Sequence, residues 1–131
     1  MDGYFTTLDE QECARLLKEN QVGRVAFHGP GGMTIIPVAY LFDGARLVLS
    51  TGGGTALGGL ADDTPVAFEV DEFDPETRNG WSVMARGRIR VTENAKERPS
   101  APMPWAPGPR DQVRIIKVTG LSGRAVSDQA E

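Results

Sequence analysis

The chain has 131 residues and a formal net charge of −4 at pH 7. That length predicts one domain, residues 1–131, with a single core, and the acidic balance argues against a nucleic-acid partner, which needs a basic surface. A lone cysteine, Cys13, excludes an internal disulfide, and no apolar run is long enough to cross a membrane. With no signal-peptide pattern in "MDGYFTTLDE", these features predict a cytoplasmic protein without a membrane partner.

The first predicted element is a short helix over "LDEQECARLLKEN". Asp9 is a plausible N-cap with Glu12 three residues later, and Cys13, Leu16 and Leu17 share one face at helical spacing. We therefore expect Cys13 to be a core residue and not a nucleophile.

Three strands follow, "RVAFH", "MTIIPVAYLF" and "ARLVLST". The stretch "GPGG" separates the first two, and Asp43-Gly44 is a hairpin signal between the second and third. Short connections of this kind predict an antiparallel meander. His28, the only histidine, is expected to be a strand-end residue beside a turn.

The second half of the chain predicts three more strands. A weak helical turn over "ALGGLADDT" precedes "PVAFEVDEF" and "WSVMARGRIRV", where Gly87 suggests a bulge or a barrel corner. The segment "ENAKERPSAPMPWAPGPRD" contains five of the nine prolines and should be irregular. "QVRIIKVTGLSGRAV" is expected to form one last strand and a turn, with a core over 8–124 and a frayed tail over 125–131.

Together these elements predict a mainly β fold, a six-stranded antiparallel barrel with a short N-terminal helix. Two of its strands, "TIIPVAYLF" and "RLVLS", are apolar almost throughout, which is typical of strands covered on both faces. A small barrel covers only its inner face. The pattern therefore predicts a homodimer, in which a second copy covers the outer face.

The stretch "LSTGGGTALGGL" raises the question of function. Three consecutive glycines between hydroxyl side chains can expose backbone N–H groups to an anion, or can form a loop with no ligand. The stretch matches neither the P-loop pattern nor the dinucleotide-binding fingerprint. From these residues alone, a phosphate cradle and a plain loop both stay open.

The order and spacing of several blocks resemble a known family. "IPVAY…DG…LVLSTG", "VAFEVDEFDPETRNGWSV" and "PWAPGPRD" together resemble the pyridoxamine 5′-phosphate oxidase-like family, in particular small actinobacterial flavin-binding split-barrel proteins close to the nitroimidazole-resistance type. The resemblance covers about residues 8–124. It implies a split-barrel homodimer with FMN at the dimer interface.

The resemblance also implies the residues that contact the cofactor. The flavin ring would lie along the backbone of one strand, and the phosphate on the glycine loop, which would answer the question in favour of a cradle. A few residues would reach the ring edge from the other subunit, with two weaker candidates later in the chain. In that order, these residues are Ile36, Pro37, Val38 and Ala39; Ser50, Thr51, Gly52 and Thr55; Trp81, Ser82 and Val83; Trp105 and Arg110.

One position departs from the family pattern. Relatives often carry a lysine or arginine after the threonine of the glycine loop, and here that residue is Ala56. Losing a charge-assisted hydrogen bond weakens binding by roughly one to two orders of magnitude. Arg110 or Arg46 are candidates to compensate.

The implied function is an FMN-dependent oxidoreductase that acts on a small nitro- or quinone-like substrate, with NADH or NADPH as electron donor. The flavin would supply the redox chemistry, so we expect no catalytic acid or base, and no metal site. Two alternatives stay open: a non-catalytic protein that binds or stores flavin or haem, and a deazaflavin-dependent reductase. The deazaflavin tail would use a basic row such as Arg86, Arg88 and Arg90, for which a solvated strand face is the simpler interpretation.

Overall fold

The computed structural model describes residues 4–51, 55–91 and 112–127. Within these ranges one helix and seven strands occur in the order β1, α1, β2 to β7. Their bounds are Tyr4–Leu8 (β1), Glu10–Glu19 (α1), Val22–Gly29 (β2), Gly32–Phe42 (β3), Arg46–Thr51 (β4), Thr64–Asp74 (β5), Asn79–Val91 (β6) and Gln112–Ser127 (β7). In this part of the chain no helix is long and apolar enough to cross a membrane.

Six of the strands form the predicted barrel. The pairing order is β1-β7-β4-β3-β2-β5-β6, and β6 also pairs with β7, so β2 to β7 close into a ring. Every pair is antiparallel. The consecutive pairing of β2, β3 and β4 confirms the meander.

The strand β1 lies outside that ring and was not predicted. It pairs along the last residues of β7, from Tyr4 opposite Ser127 to Leu8 opposite Gly123. Residues 125–127, expected to fray, are therefore part of a paired strand, and residues 128–131 lie outside the described ranges. The proline-rich segment over 93–111 also lies outside them.

The helix α1 is the predicted one. The Asp9 carboxylate accepts a 2.8 Å hydrogen bond from the Glu12 N–H, which confirms the N-cap. The Glu12 side chain binds Arg15 instead of closing a capping box. Cys13 and Leu17 are fully buried, and the Tyr40 hydroxyl donates a 2.6 Å hydrogen bond to the Leu17 carbonyl. This contact joins the last turns of α1 to β3.

Strand alternation separates an inner face from an outer face. Inward side chains form one apolar core, which includes Phe27, Tyr40, Leu49, Phe68 and Ile116. On the outer face of β4, Val48 is also buried, at only 5% exposed, between the half-buried Arg46 and Ser50. The outer face of β3 is not covered, because Met33, Ile35 and Leu41 are 75%, 69% and 43% exposed.

Gly87 forms the predicted irregularity in β6. The register between β6 and β7 shifts between Arg86 and Gly87, as at a β-bulge. A Cβ at Gly87 would collide with the Lys117 carbonyl oxygen and crowd the Ile116 side chain. The bulge therefore brings the two backbones too close for any side chain at this position.

We predict that Gly87→Ala lowers the free energy of unfolding by about 2 kcal/mol, because the backbone of β7 must move to admit the methyl group. Chemical denaturation monitored by circular dichroism measures this change. The matched control is Gly120→Ala on β7, where an added Cβ meets no atom within 4 Å. Equal stability of the two variants would contradict the close approach.

Candidate functional site

The strand β3 has a hydrogen-bonding partner on only one side over residues 32–39. β4 pairs with Tyr40, Leu41 and Phe42 alone, whereas β2 pairs with β3 from Gly32 to Ala39. The side of β3 that faces away from β2 is therefore unpaired over 32–39 among the described strands. We call this stretch the open edge.

The side chains of the open edge alternate as its strand geometry requires. Ile36 and Val38 pack against the core, while Pro37 is exposed on the outer face and Ala39 is half-buried there. Proline has no N–H to donate, so Pro37 fits an unpaired strand edge. Of the residues expected along the flavin ring, all four lie on this edge.

The residues expected to hold a phosphate lie at the end of β4 and just beyond it. Extending the register from Tyr40 opposite Leu49 places Ser50 beside Ala39, so this end of β4 adjoins the open edge. Ser50 is half-buried and Thr51 is buried, with no hydrogen-bond partner for the Thr51 Oγ1 among the described residues. Gly52, the next candidate, lies outside the described ranges.

The turn over 55–61 borders a groove of about 550 Å³. Its walls come from the end of β2, this turn and the start of β5, through His28, Pro30, Thr55, Ala56, Gly59, Leu60, Ala61 and Thr64. The turn is closed by hydrogen bonds from the Gly58 N–H to the Thr55 Oγ1 and from the Gly59 N–H to the Thr55 carbonyl, both 3.0 Å. Thr55 is thus in a groove, as a ligand-binding residue would be, and His28 is an exposed residue at a strand end, as expected.

Arg114 is the residue that sequence reasoning missed. Its side chain is fully buried, and its Nη1 and Nη2 donate 2.8 Å hydrogen bonds to the carbonyls of Gly58 and Leu60, in the turn over 55–61. Its Nε has no partner within the described residues. Burial lowers the pKa of Arg114, and the charge of Asp62 opposes that shift. The only signal in the sequence is an arginine inside the apolar run "VRII".

Of the two arginines expected to compensate for Ala56, the structure describes only Arg46, which does not line this groove. Arg46 begins β4, at the end opposite Thr51, and its guanidinium contacts the Asp43 carboxylate at 2.8 Å. Compensation by Arg46 within one chain is therefore wrong. Arg110 and Trp105 lie outside the described residues.

The residues expected at the ring edge lie far from the groove. Trp81 pairs with Ala125, whereas Val91, at the other end of β6, pairs with Arg114 beside the groove. Ten strand positions between Trp81 and Val91 correspond to about 30 Å. Trp81 and Ser82 are half-buried, while Val83 is fully buried in the core, so its side chain cannot contact a ligand. One chain therefore does not bring the residues expected at the ring edge together with the residues of the groove.

A charged cluster lies beside the open edge on the outer face. Pro37 is paired with Arg24, which is paired in turn with Glu69. The Arg24 Nη1 lies 3.2 Å from Glu69 Oε1 and 3.5 Å from Asp71 Oδ1. Burial and the neighbouring Asp71 raise the pKa of Glu69 to about 7, against the opposing charge of Arg24. Glu69 therefore changes its protonation near neutral pH.

The fold and the open edge define an antiparallel split barrel, a class of small ligand-binding β proteins. The sequence matches the pyridoxamine 5′-phosphate oxidase family over residues 9–126, and the chain belongs to this family. The resemblance proposed from the sequence blocks is thus confirmed.

Individual relatives agree with this assignment. The uncharacterized protein Rv0080 of Mycobacterium tuberculosis is 33% identical over 92% of this chain and 86% of its own. A Corynebacterium glutamicum structure, provisionally assigned as a pyridoxamine 5′-phosphate oxidase, is 26% identical with a TM-score of 0.80, covering 100% of this chain and 99% of that one. An FAD binding protein from Mycobacterium smegmatis is 26% identical with a TM-score of 0.71, covering 93% and 98%.

The raised pKa of Glu69 predicts a pH-dependent stability. The folded protein binds the Glu69 proton more tightly than the unfolded chain does, so this group stabilises the fold fully below its ordinary pKa of 4.5. That contribution is lost as pH rises through about 7. We expect the urea midpoint to fall between pH 5 and pH 8, and to fall less in Glu69→Gln. Glu76→Gln, in the exposed turn before β6, is the control and should keep the wild-type slope. A Glu69→Gln slope equal to the wild type would contradict the assignment.

Proposed function

We propose that this protein is an FMN-binding oxidoreductase that acts on a small nitro- or quinone-like substrate, with NADH or NADPH as electron donor. The observation that carries the proposal is the continuity of the open edge with the end of β4. A flat ring can lie along an unpaired backbone, and Ser50 and Thr51 follow beside that backbone at the end of β4. Membership of the family supports a flavin, as does the FAD binding neighbour from M. smegmatis.

The residues present fit a phosphorylated flavin. Buried hydroxyls are normally hydrogen-bonded. The Thr51 Oγ1, at the start of the glycine loop, has no hydrogen-bond partner among the described residues, so it can bond to a ligand. Thr51, Ser50 and Thr55 would hold the phosphate, and the backbone from Ile36 to Ala39 would hold the ring. Gly52, Trp105 and Arg110 stay predictions from the resemblance.

The chain's own contribution is position and shielding. A bound flavin would supply the hydride and electron transfer. The rigid open edge would fix the ring, and the apolar outer face of β3 would exclude water once covered. We assign no side chain of the chain as catalytic acid or base. We further propose that the protein acts in the cytoplasm.

We propose that the active form is a homodimer. The outer face of β3 exposes Met33, Ile35 and Leu41, an apolar stripe along one strand. About 30 Å of strand separates Trp81 from the groove within one chain. A second copy on the stripe would cover it and could bring its own Trp81 and Ser82 to the ring, so the dimer completes the site.

We therefore expect Ile35→Glu to produce a folded monomer that no longer retains flavin, because a charge on the stripe opposes its burial. Light scattering coupled to size exclusion measures the mass, and circular dichroism checks the fold. Phe5→Glu on β1 replaces another apolar side chain, 72% exposed, and should remain dimeric. A wild-type protein that is monomeric would overturn the dimer.

The function itself is tested by visible absorption after adding FMN and removing the excess. Flavin bands that stay with the protein, followed by NADH- or NADPH-dependent bleaching and reoxidation by a nitroaromatic or quinone, are the expected result. Ala56→Lys should bind FMN about tenfold more tightly, by adding a charge-assisted hydrogen bond. Ala45→Lys, in the β3–β4 hairpin, should not change the affinity.

The other outcomes assign the remaining candidates. Retention of FAD but not FMN would change the assigned cofactor to FAD and would still support a flavin site. Retention of a deazaflavin or haem alone would overturn the FMN assignment. A flavin that is bound but never reduced by either nicotinamide would overturn the oxidoreductase and make the protein a flavin-binding or storage protein.

A further inference from the structure

Arg114 is a buried cation for which the described residues provide no carboxylate ligand. It is 0% exposed, and its Nη1 and Nη2 donate hydrogen bonds to two backbone carbonyls, those of Gly58 and Leu60. Its Nε has no partner in the described part of the chain. A buried charge is costly unless an opposite charge and hydrogen bonds compensate it. The carbonyl dipoles and the charge of Asp62, which does not contact the guanidinium, compensate it only partly, so the site favours a further anion nearby.

A second buried polar atom without a partner lies on the same side of the sheet. Arg114 is paired with Leu49, and Thr51 is two residues further along β4 on the same, inward face. The Thr51 Oγ1 also has no partner among the described residues. Two such atoms at one end of the barrel are unusual, because buried polar side chains are nearly always satisfied. Both lie where the chain enters the glycine loop.

The Arg114 guanidinium also determines the orientation of backbone groups in the turn over 55–61. In a trans peptide the carbonyl and the next N–H point in opposite directions. Because the Leu60 carbonyl points to Arg114, the Ala61 N–H points away from it, and Ala61 lines the groove. Arg114 therefore fixes the turn over 55–61 with a donor directed away from the protein interior.

We infer that Arg114 is a positioning residue for a phosphate group, fixing the turn over 55–61 and supplying from behind it the positive charge that Ala56 does not. The inference rests on the proposed function, since the phosphate is that of FMN. Charges buried in a protein are screened much less than exposed ones, so Arg114 can act on a phosphate without touching it.

The charged groups around the turn set the field that a phosphate would meet. Asp62 is the carboxylate whose charge acts on Arg114. Asp63 lies 3.4 Å from the Arg90 guanidinium on the outer face of β6. The Arg88 Nη1 donates a 3.0 Å hydrogen bond to the Asp63 carbonyl, also from the outer face of β6. Arg114 is thus the cation nearest to the turn on its inner side among the described residues.

The test compares FMN with riboflavin, which has the same ring and no phosphate. Arg114→Gln and Arg114→Lys both shorten the side chain and keep a donor, but only lysine keeps the charge. We expect the ratio of riboflavin to FMN dissociation constants to fall about tenfold in Arg114→Gln and to stay near the wild-type value in Arg114→Lys. Lys18→Met, which removes an exposed charge on α1, is the control and should leave the ratio unchanged.

If Arg114 had a merely structural role, its loss would weaken the binding of both flavins equally. An unchanged ratio of the two dissociation constants in Arg114→Gln would therefore overturn the inference. Calorimetry checks that each variant folds. If Arg114→Gln does not fold, Arg114→Met replaces it as the neutral variant. If the wild type binds neither flavin, the proposed function fails. Inorganic phosphate then tests the inference separately. The inference is supported if phosphate raises the melting temperature of the wild type above its value in chloride at equal ionic strength, and does not raise that of the neutral variant. No phosphate effect in the wild type overturns it.

Discussion

The barrel depends on one strand, β7, because three other strands hydrogen-bond to it. Its first half pairs with β4 on one side and β6 on the other, and its second half pairs with β6 and β1. Without β7 the ring has two free edges, at β4 and at β6. The bulge at Gly87 lets β6 follow β7 along most of its length although the two curve together.

The same strand sets the geometry of the candidate site. Pairing of Leu49 with Arg114 brings a guanidinium against the turn that follows the glycine loop. Pairing of Trp81 with Ala125 places the aromatic candidate at the far end of β7. Within one chain these two groups of candidate residues are therefore apart, and their separation follows from strand register and not from any loop.

Local patterns explain which elements could be predicted from the sequence. The helix has its own cap at Asp9 and its own apolar face, and the meander has a hairpin signal at Asp43-Gly44, so both depend on neighbours in sequence. The bulge at Gly87 was also visible, because glycine inside a strand indicates close backbone approach. β1 was missed because it is a short strand that pairs only with the last residues of β7, more than a hundred positions away in the sequence.

The candidate site was predictable only in part, for a related reason. The hydroxyls and glycines after β4 left a cradle and a plain loop open, and only the family resemblance favoured the cradle; the structure places Thr55 in a groove. Nothing local shows that Arg114 is buried, since that depends on carbonyls more than fifty residues away. Arg46 is a different case, because the carboxylate that binds it, Asp43, is only three residues away in the sequence.

The position of β7 as the last described strand also constrains how the protein can fold. Tyr4, in the first strand, is paired with Ser127, and the contacts of β7 with β4 span more than sixty residues. Long-range pairing of this kind makes folding slow, because the chain must close large loops before it gains contacts. On a ribosome, β2 to β6 would be synthesised before the strand that closes them, and the free edges of β4 and β6 would be exposed to pairing with other chains. The barrel can therefore close only after β7 has been synthesised.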